Sequence, residues 1–370
     1  MSDQEEHHGP AVEHLECRSY RFPTPRPESD GTLTWTATVA VCVLARAGEC
    51  TGLGWTYSSA AAEDLVREHL QDAVVGHPAC DVRGSWERMR RALRNLGIRG
   101  LGGQAISAVD IALWDLAARL SGRSLAGMLG TSREAVPVYG SGGFTSLDDE
   151  ELAEQVSGWR AAGCSAMKIK VGEAWGTSED RDLRRVGQLR DLAGDGTELM
   201  VDANGGYDRG QARRMGAAFD DAGVRWFEEP VSSDDLAGLS IVRGSVRCDV
   251  AAGEYAATRY DAAALCPVVD CLQLDVTRCG GYTGWLECAA VAASAGLQVS
   301  AHCAPALHAP VTAAVPNLRH LEWFADHVRL EPLLVDGVPA VAGGMMTVPT
   351  GPGHGMTLRE DAESWRITDA

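Results

Sequence analysis

The sequence predicts an α/β protein, a parallel barrel of strand–helix units preceded by a smaller α+β domain. Three observations carry that prediction. From Val136 onward, short apolar runs alternate with helix-length stretches rich in Ala, Leu, Arg and Glu, the beat of parallel strands joined by crossover helices. There are eight such runs, the number that closes a barrel. The competing doubly wound sheet would need a phosphate turn, G-x-G-x-x-G, after its first strand, and the turn is absent.

Taken in order, Pro23, Pro25, Pro27 and Gly31 predict a loop, and the β-branched residues of 32–44 predict a strand. Gly52-Leu53-Gly54-Trp55 ends that strand region, and helical patterns follow at 61–75, 85–96 and 104–120. In the last of these Ile106, Val109, Leu113 and Leu116 give an apolar helix punctuated by Asp110 and Asp115. The barrel runs are 136–139, 167–171, 199–201, 224–227, 249–252, 271–274, 297–300 and 318–321, with helices expected at 147–162 and 179–192. The interval 305–317 is short but admits a helix. After Trp323 the beat stops, and the Gly- and Pro-containing remainder is expected to return over the first domain. The chain therefore divides into an N-terminal α+β capping domain (1–135), a barrel (136–325) and a C-terminal segment completing the cap (326–370).

A formal charge of −18 argues against a nucleic-acid or anionic-membrane surface, both of which need clustered Lys and Arg. Eleven scattered cysteines with no C-x-x-C pair fit reduced, buried thiols better than a disulfide framework or a zinc ribbon. The first ten residues are acidic and polar, unlike a signal peptide, and no apolar run approaches the ~18 residues of a membrane span. A cytoplasmic protein is expected, with His7-His8 as tail and not a metal site.

The chemistry is concentrated where the strands end. Lys168 and Lys170 close the second barrel strand, Asp202 and Asn204 the third, Glu228 the fourth, Glu254 the fifth, Asp275 the sixth, His302 the seventh and Glu322 the eighth. In a parallel barrel all these ends open on one face, where barrel enzymes keep their active sites. Asp202, Glu228 and Glu254 lie 26 residues apart, one strand–helix unit each time. Three such carboxylates form an all-oxygen site that suits Mg²⁺ better than Zn²⁺. Glu229 should face the other way by strand alternation and be structural. Lys168 and Lys170, two apart, share a face, and two ammonium groups near a metal should each lose basicity. Asp275 can fix the tautomer of His302. Glu322, among apolar sequence neighbours, should have a raised pKa and donate to an oxyanion. His308, His320 and His327 read as core hydrogen-bonders.

These residues resemble the mandelate racemase subgroup of the enolase superfamily. The likeness runs through Ala112-Leu113-Trp114-Asp115 and Leu125-Ala126-Gly127-Met128 in the first domain. In the barrel it continues with Lys168-Ile169-Lys170, Asp202-Ala203-Asn204, Glu228-Glu229-Pro230, Gly253-Glu254, Gln273-Leu274-Asp275 and Ser300-Ala301-His302. The resemblance implies a modified TIM barrel of (β/α)7β type. It also implies Mg²⁺ on Asp202, Glu228 and Glu254, Lys170 and His302–Asp275 as proton carriers on opposite faces of a carboxylate substrate, and Lys168 and Glu322 as enediolate stabilisers. Asn204 would contact substrate, and barrels of this sort commonly self-associate, so a homo-oligomer is expected. Muconate-lactonising and dipeptide-epimerase relatives carry Lys where Asp275 stands, and glucarate dehydratases carry Asn where Glu254 stands; both fit less well. The polar look of Arg26, Glu28, Asp30, Trp55 and Tyr57 in the capping loops favours a hydroxylated substrate, hence a sugar-acid dehydratase over a racemase or epimerase. A catalytically silent metal- and carboxylate-binding barrel is the alternative of another class. A hydrolase is disfavoured, because His-x-His is missing from Val136-Pro137-Val138-Tyr139.

Overall fold

The computed structural model describes residues 9–131 and 133–368, so His7-His8 lies outside the described residues. Three antiparallel strands, β1 (His14–Ser29), β2 (Thr34–Ala47) and β3 (Cys50–Tyr57), open the chain as a meander. Two expectations are corrected here. The proline-rich stretch is not a loop but part of β1. β1 is an edge strand paired only with β2, so prolines that cannot donate to a ladder are tolerated, and the register slips between Pro23 and Glu28. Gly52-Leu53-Gly54-Trp55 does not end the strand region but sits inside β3. Helix Leu101–Leu120 crosses this strand so closely that a Cβ at Gly52 would lie 2.2 Å from the Ala112 carbonyl oxygen, and one at Gly54 2.3 Å from that of Ala108. Two glycines in a strand are explained by that helix.

All eight expected barrel runs are strands: β4 (Ala135–Gly142), β5 (Ala166–Lys170), β6 (Glu198–Asp202), β7 (Val224–Glu228), β8 (Asp249–Ala252), β9 (Cys271–Leu274), β10 (Gln298–Ala301) and β11 (Leu318–Phe324). They are parallel and in sequence order, and β11 pairs with β4 to close the barrel. The short last interval does hold a helix, Pro305–Thr312. Within the barrel, Tyr139, Ala166, Met200, Trp226, Ala251 and Cys271 pack as one buried layer. The ionisable strand ends lie above this floor.

Helix Ala325–Leu334 follows β11, and the rest of the chain touches both halves of the molecule. Met345–Thr347 pairs antiparallel with β4, while Tyr20 bridges to Arg366 and the Ile367 N–H donates to the Ser19 carbonyl in β1. No helix among the described residues is long and apolar enough to cross a membrane.

Candidate active site at the barrel mouth

Strand register assembles the site. Lys170 stands opposite Asp202 in the β5–β6 ladder, and Asp202 opposite Glu228 in the β6–β7 ladder, so three charged side chains share one row across three strands. Glu254 follows β8, just past the left-handed Gly253. Ligand oxygens of Asp202, Glu228 and Glu254 all lie within 4.8 Å of one another, and all three residues are buried. Three cations offset this charge from the sides: Lys170 pairs with Asp202, Lys168 Nζ lies 2.5 Å from Glu228, and Arg278 donates to Glu254 at 2.9 Å. Trp226 Nε1 also donates to Glu228 at 2.8 Å.

Glu229 does not face away from this cluster. Its φ of +38° takes it off the strand's alternation, and it is buried with Oε1 unpartnered. Burial, and then Glu254, Asp202 and Glu228, hold its carboxyl well above the usual range. Together with Asn204 Oδ1, also without a hydrogen-bond partner, and Glu254 Oε2, which faces only His302 Nε2, this leaves oxygen atoms that a divalent cation or a substrate hydroxyl would satisfy. The donor set is all oxygen, which fits a hard cation.

On the far side, His302 Nδ1 lies 2.8 Å from Asp275 Oδ2, and both the N–H and the hydroxyl of Thr277 donate to Asp275 Oδ1 at 2.7 Å. His302 Nε2 points to Glu254 Oε2 at 3.2 Å. Burial works against an imidazolium here, but Glu254 and Asp275 outweigh it and raise the His302 pKa.

One electrostatic expectation is reversed. Glu322 is not a protonated donor. Burial alone would raise its pKa, but Lys168 at 2.9 Å and His302 hold it well below the usual carboxylate range, and it accepts from Ser141 Oγ and the Cys303 N–H. With the carboxylates free of a cation, burial lowers the basicity of Lys168 and Lys170 but the surrounding carboxylates raise it further. Sequence neighbours gave the apolar half of each environment and hid the charged half.

Above these groups is a cavity of about 480 Å³ lined from the barrel by Lys170, Asn204, Glu254, Asp275 and His302. Lys168, Asp202, Glu228 and Glu322 are buried beneath it. The opposite wall comes from β2, β3 and the loop before β2, through Asp30, Trp35, Thr38, Tyr57 and Ser58. Of the capping residues expected to read substrate, Asp30 and Tyr57 reach the cavity. Arg26 instead pairs with Glu151, Glu28 accepts from Trp35, and Trp55 is buried against His354.

Residues 151–362 match the family model described as Enolase C-terminal domain-like, and residues 23–130 match the Mandelate racemase / muconate lactonizing enzyme, N-terminal domain. The chain belongs to the mandelate racemase/muconate lactonizing enzyme family. This enolase-superfamily member is 44% identical to a solved mandelate racemase/muconate lactonizing enzyme-like protein from Rubrobacter xylanophilus, with a TM-score of 0.93 over 97% of this chain and 100% of that one. It is 33% identical, over 94% of this chain and 97% of the relative, to the 3,6-anhydro-alpha-L-galactonate cycloisomerase of Streptomyces coelicolor. It is also 32% identical, over 85% and 79%, to the L-talarate/galactarate dehydratase of Salmonella typhimurium. The structure of that dehydratase, liganded with Mg and L-lyxarohydroxamate, superposes with a TM-score of 0.90 over 100% of this chain and 96% of that one.

Arg278 and Cys303 of this family member stand at the site without a signal noted in the sequence, and Glu229 faces the site where the sequence turned it away. Arg278, three residues past Asp275, also approaches that carboxylate at 3.4 Å, and the Asp-x-x-Arg spacing after a strand end is a signal that could have found it. Of the histidines read as core, His308 accepts from the Val276 N–H and His320 bonds Ser300; His327 accepts from the Ala304 N–H but also borders the cavity.

Beside the site, buried Glu331 accepts from Tyr57, with Oε2 unpartnered. Burial pushes its pKa from 4.5 up to about 8. The folded state therefore binds an extra proton between those values, and stability falls as pH rises through that window. Glu331→Gln is expected to stabilise the protein by on the order of 2 kcal/mol at pH 8 and hardly at all at pH 4. Urea unfolding at the two pH values checks this; a gain that is equal at both would assign the effect to packing.

Proposed function

We propose that the protein removes the α-proton of a small carboxylate substrate with the aid of one Mg²⁺ ion, and carries the enediolate on to dehydration of a sugar acid, giving a 2-keto-3-deoxy acid. The observation behind this reading is the pair Lys170 and His302. They stand on β5 and β10, three strand steps apart around an eight-stranded barrel, with the acidic trio on the strands between them the long way round.

Asp202, Glu228 and Glu254 would hold the ion, whose charge makes the α-proton of a bound carboxylate more acidic and steadies the dianion left behind. Lys170 takes that proton. Asp202 engaged with a cation would pair less strongly with Lys170, whose ammonium would then move toward the basicity a general base needs. His302, held by Asp275, then protonates the β-hydroxyl from the other wall so that it leaves as water, and the enol product tautomerises to the keto acid. Lys168 supplies positive charge to the developing oxyanion, and ionised Glu322 keeps Lys168 in position. Asn204 Oδ1 accepts from a substrate hydroxyl.

The polar wall of Asp30, Thr38, Tyr57 and Ser58 supports a hydroxylated substrate, as do relatives named for sugar acids and their lactones. Racemisation or epimerisation of a 2-hydroxy acid uses the same pair, with His302 returning a proton to the α-carbon. Leu33, Trp35 and Phe324 on the same cavity favour that second reading for an aromatic substrate. A catalytically silent barrel has no need of the His302–Asp275 hydrogen bond. The deciding experiment incubates the Mg²⁺-loaded protein in D₂O with a panel of aldonates, aldarates and mandelate. Release of a 2-keto acid from a sugar acid is expected; deuterium entering mandelate with no keto acid from any sugar would replace dehydration by racemisation.

A further inference from the structure

One cysteine is held in the site with no part in the chemistry above. Cys303 follows His302 directly, and its Sγ lies 3.3 Å from His302 Nε2. Its backbone is in the left-handed region (φ +51°), and so is that of Ala304 (φ +40°). Two successive non-glycine residues in that region are costly and persist only where their surroundings fix them. Here the surroundings do so. Glu322 Oε2 accepts from the Cys303 N–H at 2.7 Å, His327 Nδ1 accepts from the Ala304 N–H at 2.9 Å, and His308 Nδ1 bonds the Cys303 carbonyl at 2.9 Å. This turn directs the thiol back onto the imidazole and into the cavity.

We propose that His302, Cys303 and Glu322 form a second cation site, adjoining the acidic trio but with ligands of its own, that takes Zn²⁺ and inhibits the enzyme by occupying His302 Nε2. Ligand atoms of the three residues lie within 4.8 Å of one another, and His302 Nε2 is 4.0 Å from Glu322 Oε2. A tetrahedral Zn²⁺ with bonds of about 2.0–2.3 Å needs nitrogen, sulfur and oxygen ligands at about this mutual spacing. The mixed N, S, O set suits a borderline-soft ion, whereas the trio suits a hard one. His302 already has the second partner that zinc-binding histidines usually have, since its Nδ1 is tied to Asp275, while its Nε2 faces the Cys303 thiol at 3.3 Å and Glu254 Oε2 at 3.2 Å and becomes a ligand once its proton leaves. Glu322 Oε2 accepts one hydrogen bond and keeps a second lone-pair position. On binding, the Cys303 thiol and the His302 Nε2–H each give a proton to solvent, the S–Zn and N–Zn bonds replace the S–H and N–H bonds, and nothing is oxidised or reduced. The fourth position faces the cavity.

The inhibition, though not the binding, rests on the proton-carrier role proposed for His302. The test uses the full chain with saturating Mg²⁺, titrated with Zn²⁺ by calorimetry and with Co²⁺ by absorption. One equivalent of Zn²⁺ is expected to bind alongside Mg²⁺, Co²⁺ to raise a thiolate-to-metal charge-transfer band in the near ultraviolet, and keto-acid release to stop in step with Zn²⁺ occupancy while α-proton exchange continues. Cys303→Ser and Cys303→Ala are expected to lose the band and to bind Zn²⁺ at least about 100-fold more weakly, since losing a direct ligand costs no less than losing an outer-shell partner. Both should keep their Mg²⁺-supported exchange. A Zn²⁺ affinity that both substitutions leave unchanged, or that weakens as Mg²⁺ is raised, overturns the proposal and puts the ion on the trio. If the parent exchanges no α-proton, the proposed reaction fails, and calorimetry and absorption still decide the site.

Discussion

Lys170→Arg is expected to lower sugar-acid turnover about 1,000-fold, within the 10²–10⁴ that a general acid or base contributes. Arginine keeps the charge that faces Asp202 but cannot give up its proton, so the substitution separates basicity from electrostatic compensation. Lys170→Ala should be at least as inactive and less stable, because it leaves Asp202 buried without that partner. Neither variant should wash deuterium into the α-position of a sugar acid. His302→Asn should behave differently. With Lys170 intact the α-proton still exchanges, but no group protonates the leaving hydroxyl, so exchange proceeds with little or no keto acid. Mass spectrometry of recovered substrate beside a keto-acid assay reads both. Deuterium entering substrate in the Lys170→Arg protein would assign the base elsewhere, and keto acid from the His302→Asn protein at the parental rate would remove His302 from the elimination.

The second large effect concerns the metal. Glu228→Gln is expected to abolish Mg²⁺ dependence and activity while leaving the melting temperature of the metal-free protein unchanged or raised. Glu228 is buried, and burial and Asp202 push its pKa up to about 8. A neutral amide of the same shape therefore removes a crowded anion, and Lys168 keeps Glu322 at 2.9 Å and Asp202 at 3.9 Å as partners. Adding Mg²⁺ at about 100 times its dissociation constant should stabilise the parent by about 2.7 kcal/mol and the variant by almost nothing. Melting curves with and without Mg²⁺ give both numbers. An equal rise in the two proteins would place the ion away from Glu228.

Much of this was legible in the chain. Side chains such as Asp202, Glu228 and His302 are spaced by strand–helix units, and in a parallel barrel that spacing alone decides which end they share. The strands were legible because their apolar runs are short and bounded. What escaped has physical reasons. β1 carries prolines that only an edge position tolerates, and whether a strand lies at an edge is a property of the sheet, not of the strand. Alternation gave the wrong face for Glu229 because the chain leaves β geometry at that residue. Glu322 was expected to be protonated from Leu321, Trp323 and Phe324, yet its charge state is set by Lys168 and Ser141, brought from β5 and β4. Local sequence reports what a side chain sits beside along the strand, and pKa depends on what faces it across the barrel.

The wall opposite the strand ends is fastened to helix Ala325–Leu334 by a few contacts. Thr38 donates to Asp326, the Tyr57 ring stacks on His327 at 3.7 Å, and its hydroxyl meets Glu331. On the proposed reading, reactivity and selectivity thus reside on different pieces of backbone with different tolerances. A strand end that drifts would break the register joining Lys170, Asp202 and Glu228, whereas a change at Asp30 or Ser58 is expected to alter which molecule is accepted and to leave the proposed proton-transfer groups where they are. New selectivities in a scaffold of this kind are cheapest to reach by editing the lid and sparing the crucible.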